Sequence, residues 1–560
     1  MLVSSILWGF FALSSYNVLA EVFLSMAEVE TLITTEKMLL DVLKNHLHQE
    51  KLRLTKAQGY RELVRDLAQA KSEESHLHRI KIDQCLKHRV DIFNNITDVL
   101  SQETFAEQNR SILGLRISRA FPDKTDMEGI ADAFAMLQMI YKLHPRDIAK
   151  GRIPETRRTM PFTSEEAAII GYNQIKNKLF NSGSAWLEMA LEIHRNEKTK
   201  TAQISDVLHW LQYAVYHETN NVVRAREILQ KIHEIQPDYP GLEKKFTHYF
   251  EHIRRLKSGQ IFQMYIAPTA TQAYNSDIAA VIEDPEFPDT QAYGALCRGE
   301  KRMHALDKRK LNCFYQTHGD PYLLIQPIKV EKVYIDPEIL ILHDIILDSQ
   351  IIRLREIGYH HLVRGRIVDE NNPNGTEFEN ALVTKDRIAK IAFLDPALDP
   401  VIPTVNRYIG YATNLDHAVA EDLQVNNYGI GGHFAPHHDY FGNIKNPDAV
   451  TDEEWGDRIA TLLIYMTNVE AGGATVFPLL NLTLFPEKGS AAFWYNKFKD
   501  GFPDWRTLHA GCPVLSGNKW VSNKWFRERG QDRRRPCGLQ RDGFGDLDGV
   551  LTLQEPLQVL

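Results

Sequence analysis

Residues 435–442 read APHHDYFG, residues 508–513 read LHAGCP and residues 516–525 read SGNKWVSNKW. In a β-strand the side chains at i and i+2 project from the same face. His437 and Asp439 can therefore point at one atom while His438 turns away, and His509 can meet them from a distant strand. Two histidines and one carboxylate on one side of a metal suit Fe(II) and leave coordination positions open for other ligands. A lone His-x-Asp is a weak signal, and its surroundings strengthen it. RIATLLIYM (458–466) alternates, with Thr461, Leu463 and Tyr465 on one face. GGATVFP (472–478), GSAAFWYN (489–496) and NKWVSNKWF (518–526) follow. Short aromatic and β-branched strands punctuated by Gly and Pro predict an all-β barrel or jelly roll. Pro436 and Gly431-Gly432 argue against a helix, which removes His433 and His437 as a helical i, i+4 metal pair.

Lys519 stands ten residues after His509. A lysine inside a barrel suits an anionic group, because a buried carboxylate needs a cationic, hydrogen-bonding partner. Lys524 reads as a solvated surface lysine instead. Tyr428 is a weaker candidate for a hydroxyl at the same place, and a buried structural tyrosine explains it as well.

The stretches YGIGGHFAPHHD, RIATLLIYM, AGGATVFP, AAFWYNKF, HAGCPVLSGNKWVSNKW and RERGQDRRRPC resemble the α subunit of collagen prolyl 4-hydroxylase. The likeness covers nearly the whole chain and is densest from about 422 to 537. It implies that His437, Asp439 and His509 are the iron ligands and that Lys519 pairs with the distal carboxylate of 2-oxoglutarate. It also implies hydroxylation of peptidyl proline at C4, a need for ascorbate, and a protein disulfide isomerase β subunit in an α2β2 assembly.

The chain has 560 residues, 43% hydrophobic and 25% charged, ordinary for globular protein and long enough for several domains. A net charge of −8 gives no footprint for nucleic acid. The expected architecture is α+β and multidomain: a helical N-terminal region, a tetratricopeptide-like module, then a double-stranded β-helix (jelly-roll) catalytic domain. Residues 1–20 read as a secretory signal peptide, with the apolar run Ile6–Leu13 too short to span a bilayer. Sequons at Asn95, Asn109, Asn374 and Asn481 fit a glycoprotein of the secretory pathway. The C-terminal LQEPLQVL is no KDEL-type signal, so retention in the endoplasmic reticulum lumen would fall to a partner.

Residues 21–150 read as helical. Ile33, Leu40, Leu47 and Leu54 recur every seven residues, a seam for a coiled coil or an intramolecular bundle; the resemblance implies a dimer interface. GIADAFAMLQMIYKL (129–143) is a further amphipathic helix, closed by His144-Pro145. Residues 155–255 form the tetratricopeptide-like module. Within it, the segment 205–240 carries Tyr213-Ala214-Val215-Tyr216, and Ala225 lies twelve residues before Pro237. Aromatic residues on such helices are usually core, but the resemblance makes Tyr213 and Tyr216 candidates for gripping a polyproline II peptide. Where the family carries a tyrosine-rich acidic segment, this chain reads NKLFNSGSAW (177–186), which puts its peptide preference in question.

Residues 256–335 read as a linker region, 336–537 as the catalytic domain with its core at about 419–528, and 538–560 as a mobile tail. Five cysteines are too few for a disulfide scaffold. The family pattern pairs Cys297 with Cys313 and Cys512 with Cys537, leaving Cys85 as a buried thiol. The rival readings are the same chemistry on a non-collagen secreted substrate, a lysyl hydroxylase, and a non-catalytic peptide-binding paralogue. The helical module argues against the second, and the intact ligands and lysine against the third.

Overall fold

The computed structural model describes residues 124–153, 161–219, 221–258, 290–300, 310–365, 367–368, 381–382, 387–441 and 455–538, with positions 37, 38, 40, 41 and 44. The signal-peptide stretch, the heptad seam apart from Leu40, Cys85, three of the four sequons and the tail beyond residue 538 lie outside the described residues. Asn481 is described and exposed. The chain divides into two compact units. One is Met1–Asp284 with Gly429–Gly432 and Leu515–Gly517; the other is Pro285–Tyr428, His433–Val514 and Asn518–Leu560.

The first unit is helical. Helix α1 (Lys124–Tyr141) ends before His144-Pro145, as the sequence predicts, and Pro145 opens a single-turn helix. Helix α2 (Ser164–Lys176) starts at a capping box in which Thr163 and Glu166 satisfy each other's backbone N–H groups, a device worth about 1 kcal/mol. Helix α3 (Phe180–Asn196) packs closely on α2 because Gly171 faces Gly183. A Cβ on Gly183 would lie 2.5 Å from Ile175 and 2.9 Å from the Gly171 carbonyl. The small residues of NSGSAW thus serve helix packing. Trp186 is fully buried and its indole N–H donates to Gln138 Oε1 at 2.7 Å. Helices α4 (Ile204–Thr219) and α5 (Val222–Ile235) pack on each other. Ala225 is fully buried between them, and α5 stops two residues before Pro237. Helix α6 (Leu242–Lys257) follows.

The second unit is built on two antiparallel sheets. Among the described residues, the strands of these two sheets are β1 (Cys313–Gln316), β2 (Ile328–Tyr334), β3 (Ile339–His343), β4 (Val363–Arg364), β5 (Arg387–Ile388), β6 (Lys390–Leu394), β7 (Leu423–Tyr428), β8 (His433–His437), β9 (Arg458–Tyr465), β10 (Thr475–Phe477), β11 (Leu482–Leu484), β12 (Ala491–Tyr495), β13 (His509–Gly511) and β14 (Lys519–Arg527). The nine-stranded sheet runs β1-β2-β3-β12-β9-β14-β7-β6-β4 and the five-stranded sheet β11-β10-β13-β8-β5. Tyr465, Phe477, Trp494, Leu484 and Val521 are buried in one shared core. Strands β1 and β2 place the start of the sheet inside the stretch read as linker. Helix α7 (Thr290–Cys297) precedes them.

Two expectations are corrected. Cys297 bonds to Cys512, with Cα atoms 5.6 Å apart, while Cys313 and Cys537 are free and exposed. The reason is topological. Helix α7 packs on β10 and β11, in the sheet that carries Cys512 just after β13, whereas Cys313 departs along the edge strand of the other sheet. Lys524 is not a surface lysine; it is 2% exposed. Five residues from Lys519 on one strand, it points to the opposite face. That face is covered too. Helix α8 (Asp348–Tyr359) brings Gly358 against Val425 and Arg355 over the Trp520 ring at 5.0 Å. Burial pulls the Lys524 ammonium down to about 8, with Asp422 and Glu421 opposing.

Candidate metal and co-substrate site

Strands β8 and β13 pair antiparallel with His437 directly opposite His509, and the register slips between Phe434 and His437. Pro436 sits in that irregularity, where its missing N–H costs no regular ladder bond. Strand β8 ends at His437, so Asp439 lies just beyond it and returns toward the two rings. Single ligand atoms of His437, Asp439 and His509 all lie within 4.8 Å of one another. The carboxylate reaches both rings: Asp439 Oδ1 is 3.7 Å from His437 Nε2 and Oδ2 is 3.5 Å from His509 Nε2.

The orientation of each ligand has its own cause. His437 Nδ1 faces the Ala435 carbonyl at 2.8 Å and His509 Nδ1 the Thr507 carbonyl at 3.0 Å. Each backbone carbonyl fixes Nδ1 as the donor and leaves Nε2 with a lone pair aimed at the cluster. Asp439 is held by the Thr461 hydroxyl, which donates to Oδ2 at 2.7 Å. Phe434 stacks on His437 at 3.6 Å, and Trp494 meets His509 at 4.8 Å. His438 turns away to the Trp505 carbonyl at 2.9 Å.

Burial, helped by His509, lowers His437 below the usual imidazole value. Burial alone would raise Asp439, but His509, His437, Arg458 and the Thr461 hydroxyl hold it below the usual carboxylate range. Both shifts run toward a neutral imidazole and an ionised carboxylate, the protonation that metal binding needs. Two imidazole nitrogens and a carboxylate oxygen, pre-aimed, with Asp439 and His509 buried and His437 partly exposed, fit Fe(II).

Lys519 is 3% exposed, pairs in register with Tyr428 across β14 and β7, and holds its Nζ 5.3 Å from that ring. Among the described residues no carboxylate pairs with it. Desolvation accordingly lowers its ammonium to about 7. A buried, uncompensated lysine is a ready site for an anion.

Sequence reading missed Arg387, which is buried and donates to Gln424 Oε1 at 2.8 Å and Asn426 Oδ1 at 2.9 Å. Its guanidinium lies 4.6 Å over the Phe434 ring that backs His437, and its charge opposes the burial that raises the Tyr428 phenol. Its one sequence signal was a charged residue at the start of an apolar strand, DRIAKIAFL. Tyr213 is 36% exposed and Tyr216 partly exposed, both on α4.

An antiparallel sheet pair presenting two histidines and an aspartate defines a non-haem iron oxygenase type of domain. Residues 423–527 match the 2OG-Fe(II) oxygenase superfamily. Residues 25–155 match the prolyl 4-hydroxylase alpha-subunit N-terminal region, and residues 168–255 the prolyl 4-hydroxylase peptide-substrate-binding domain. The Caenorhabditis elegans prolyl 4-hydroxylase subunit alpha-2 is 33% identical over 538 residues, covering 94% of this chain and 96% of its own length. The Homo sapiens prolyl 4-hydroxylase subunit alpha-1 is 34% identical over 523 residues, covering 92% and 95%. A crystal structure of a viral collagen prolyl hydroxylase from Paramecium Bursaria Chlorella virus-1, in complex with 2OG, is 24% identical and covers 34% of this chain and 95% of that one, with a TM-score of 0.26. The chain belongs to the prolyl 4-hydroxylase α-subunit family.

Proposed function

We propose that the chain is the catalytic α subunit of an Fe(II)- and 2-oxoglutarate-dependent prolyl 4-hydroxylase, which converts peptidyl proline to 4-hydroxyproline with O₂ and yields succinate and CO₂. The observation that carries this reading is the convergence of His437, Asp439 and His509 beside a buried lysine that has no carboxylate partner among the described residues. His437, Asp439 and His509 would hold the iron, whose bound form supplies the O₂ chemistry that couples oxidation of 2-oxoglutarate to hydroxylation.

The residues of the chain do the rest. Ala435 and Thr507 keep both imidazoles in the tautomer that offers Nε2, and Thr461 keeps Asp439 turned inward. Lys519 would take the distal carboxylate of 2-oxoglutarate and regain its charge on doing so. Phe477, Trp494, Tyr465 and Val521 keep water from this end of the core.

Tyr213 and Tyr216 would bind the proline-rich peptide. The wider reading takes residues 155–255 as the peptide-binding module and a double-stranded β-helix catalytic domain that ends at 537 and starts with β1, ahead of the expected bound at 336. It adds ascorbate as a further requirement, a protein disulfide isomerase β subunit in an α2β2 assembly, and residence in the endoplasmic reticulum lumen. The signal-peptide stretch and the exposed sequon at Asn481 support passage through the secretory pathway. The close Gly171–Gly183 packing, where relatives are expected to carry tyrosines, favours a second reading: the same chemistry on a substrate other than collagen-like repeats.

The test is peptide-stimulated succinate formation by the chain co-expressed with a disulfide isomerase, given Fe(II), ascorbate and a panel of proline peptides. Turnover that disappears in His437→Ala and is recovered at high 2-oxoglutarate in Lys519→Ala supports the reading. A folded, iron-loaded wild type that hydroxylates no proline peptide contradicts it.

A further inference from the structure

The helical unit carries a cluster of titratable rings that the oxidation chemistry does not use. On α4, the His217 imidazole lies 4.1 Å from the Tyr213 ring and stacks at 19° with Phe180 of α3 at 6.2 Å. The Tyr216 hydroxyl sits between two histidines of α6, 2.9 Å from His248 Nε2 and 3.0 Å from His252 Nδ1. A phenol has one proton to give. With both imidazoles neutral, Tyr216 donates to one ring and accepts from the other. With His252 protonated, that ring donates to the phenol oxygen and the hydroxyl donates to His248.

The charges around these rings are mostly positive. Lys245 Nζ is 3.4 Å from His209 Nε2, and α6 carries Lys244, Lys245, Arg254, Arg255 and Lys257 against Glu243 and Glu251. Acids also stand near the cluster and keep their charge, each accepting one hydrogen bond from a neutral donor. Asp206 accepts from the Tyr239 hydroxyl at 2.9 Å and Glu218 from Asn181 of α3 at 2.7 Å. Arg224 of α5 is paired with Glu188 of α3 at 2.7 Å, and α2 brings Tyr172 against Trp210, with Glu165 further off.

We propose that this surface recognises an acidic proline-rich peptide, with the tyrosine and tryptophan rings taking prolines and the histidine–lysine side taking a carboxylate next to them. The proposal rests on the peptide-binding reading of the module given above and adds the charge of the substrate. It also fixes a pH dependence. Burial, with Lys245 and His248 adding to it, lowers His217; burial, with His248 and Arg255, lowers His252. Both therefore gain charge below the ordinary imidazole value of about 6.5, and the preference for a carboxylate grows as pH falls.

The experiment measures binding of the full chain, co-expressed with its disulfide isomerase, to two labelled peptides that differ only in Glu or Gln beside a Pro-Pro pair. A Pro-Pro-Gly repeat serves as the third ligand. The Glu peptide is expected to bind about threefold tighter at pH about 7.5 and about tenfold tighter at pH about 5.8, the range that a few screened ion pairs supply. In the triple variant His217→Gln, His248→Gln, His252→Gln the ratio falls below about twofold at both pH values, and in Lys245→Gln it drops by about half. The Lys245 change needs no repacking of the histidine cluster, so it reads the same claim if the triple variant does not fold. Equal binding of Glu and Gln peptides, or a ratio unmoved by pH, overturns the inference and leaves the peptide-binding module standing. Failure of all three peptides to bind overturns both.

Discussion

The metal site and the peptide surface are both lined by histidines and aromatic rings, yet they are held in different ways. At the metal site, His437 and His509 face each other across one strand pair, and backbone carbonyls at Ala435 and Thr507 set both rings. On the helical surface, Tyr213, Tyr216 and His217 share one helix but depend on α3 and α6 for their neighbours, and Tyr213 is 36% exposed. The first arrangement is dictated by sheet register and burial. The second is a solvated face whose composition can change without undoing a core. The chemistry should therefore be brittle to substitution, and the reading of substrate graded.

The largest expected effect is on the buried side. His509→Ala should abolish peptide-dependent succinate formation, well beyond the roughly 10–100-fold loss typical of a change in an outer partner, while circular dichroism and melting temperature stay near wild type. Lys519→Ala should raise KM for 2-oxoglutarate by about 100-fold and leave kcat recoverable at saturation, as expected when one partner of a buried ion pair is removed. Thr461→Val removes the 2.7 Å bond to Asp439 and should weaken Fe(II) binding by about tenfold.

The depressed Lys519 adds a subtler signature. With its ammonium at about 7 in the free site and restored by a bound carboxylate, 2-oxoglutarate should bring in close to one proton above that pH and close to none well below it. Affinity should accordingly fall as pH rises past 7. Calorimetry in buffers of different ionisation heat reads this directly. The smallest effect belongs to the exposed surface. Tyr213→Ala should raise the peptide KM by about three- to fivefold, the loss of one ring contact, with kcat and the 2-oxoglutarate KM unchanged. A fall in kcat instead would break the comparison.

The same contrast explains what the sequence made legible. His437, His509 and Lys519 stood out because strand patterning places them locally, while Asp439, which lies past the end of its strand, stood out because it shares a long motif with His437. Thr461 was placed on the correct face by alternation alone, although its bond to Asp439 was not foreseen. Arg387 stayed hidden because its role comes from Gln424, Asn426 and Phe434, all remote in sequence. Lys524 was misread because one face of a strand was taken as solvated, and only the packing of α8 reveals that both faces are buried. The disulfide was mispaired because the expectation came from the family pattern, whereas this fold brings Cys512, 215 residues away, within bonding distance of Cys297. On the helical surface, no motif announces that His248 and His252 bracket Tyr216, since they come from a helix more than thirty residues further on.

The central claim is that one buried triad holds one iron. Anaerobic Fe(II) titration of the wild-type chain beside Asp439→Ala tests it most directly. The account predicts one tightly bound Fe(II) per wild-type chain and none in a variant that keeps the wild-type circular dichroism spectrum. Undiminished stoichiometric Fe(II) binding by folded Asp439→Ala would contradict it.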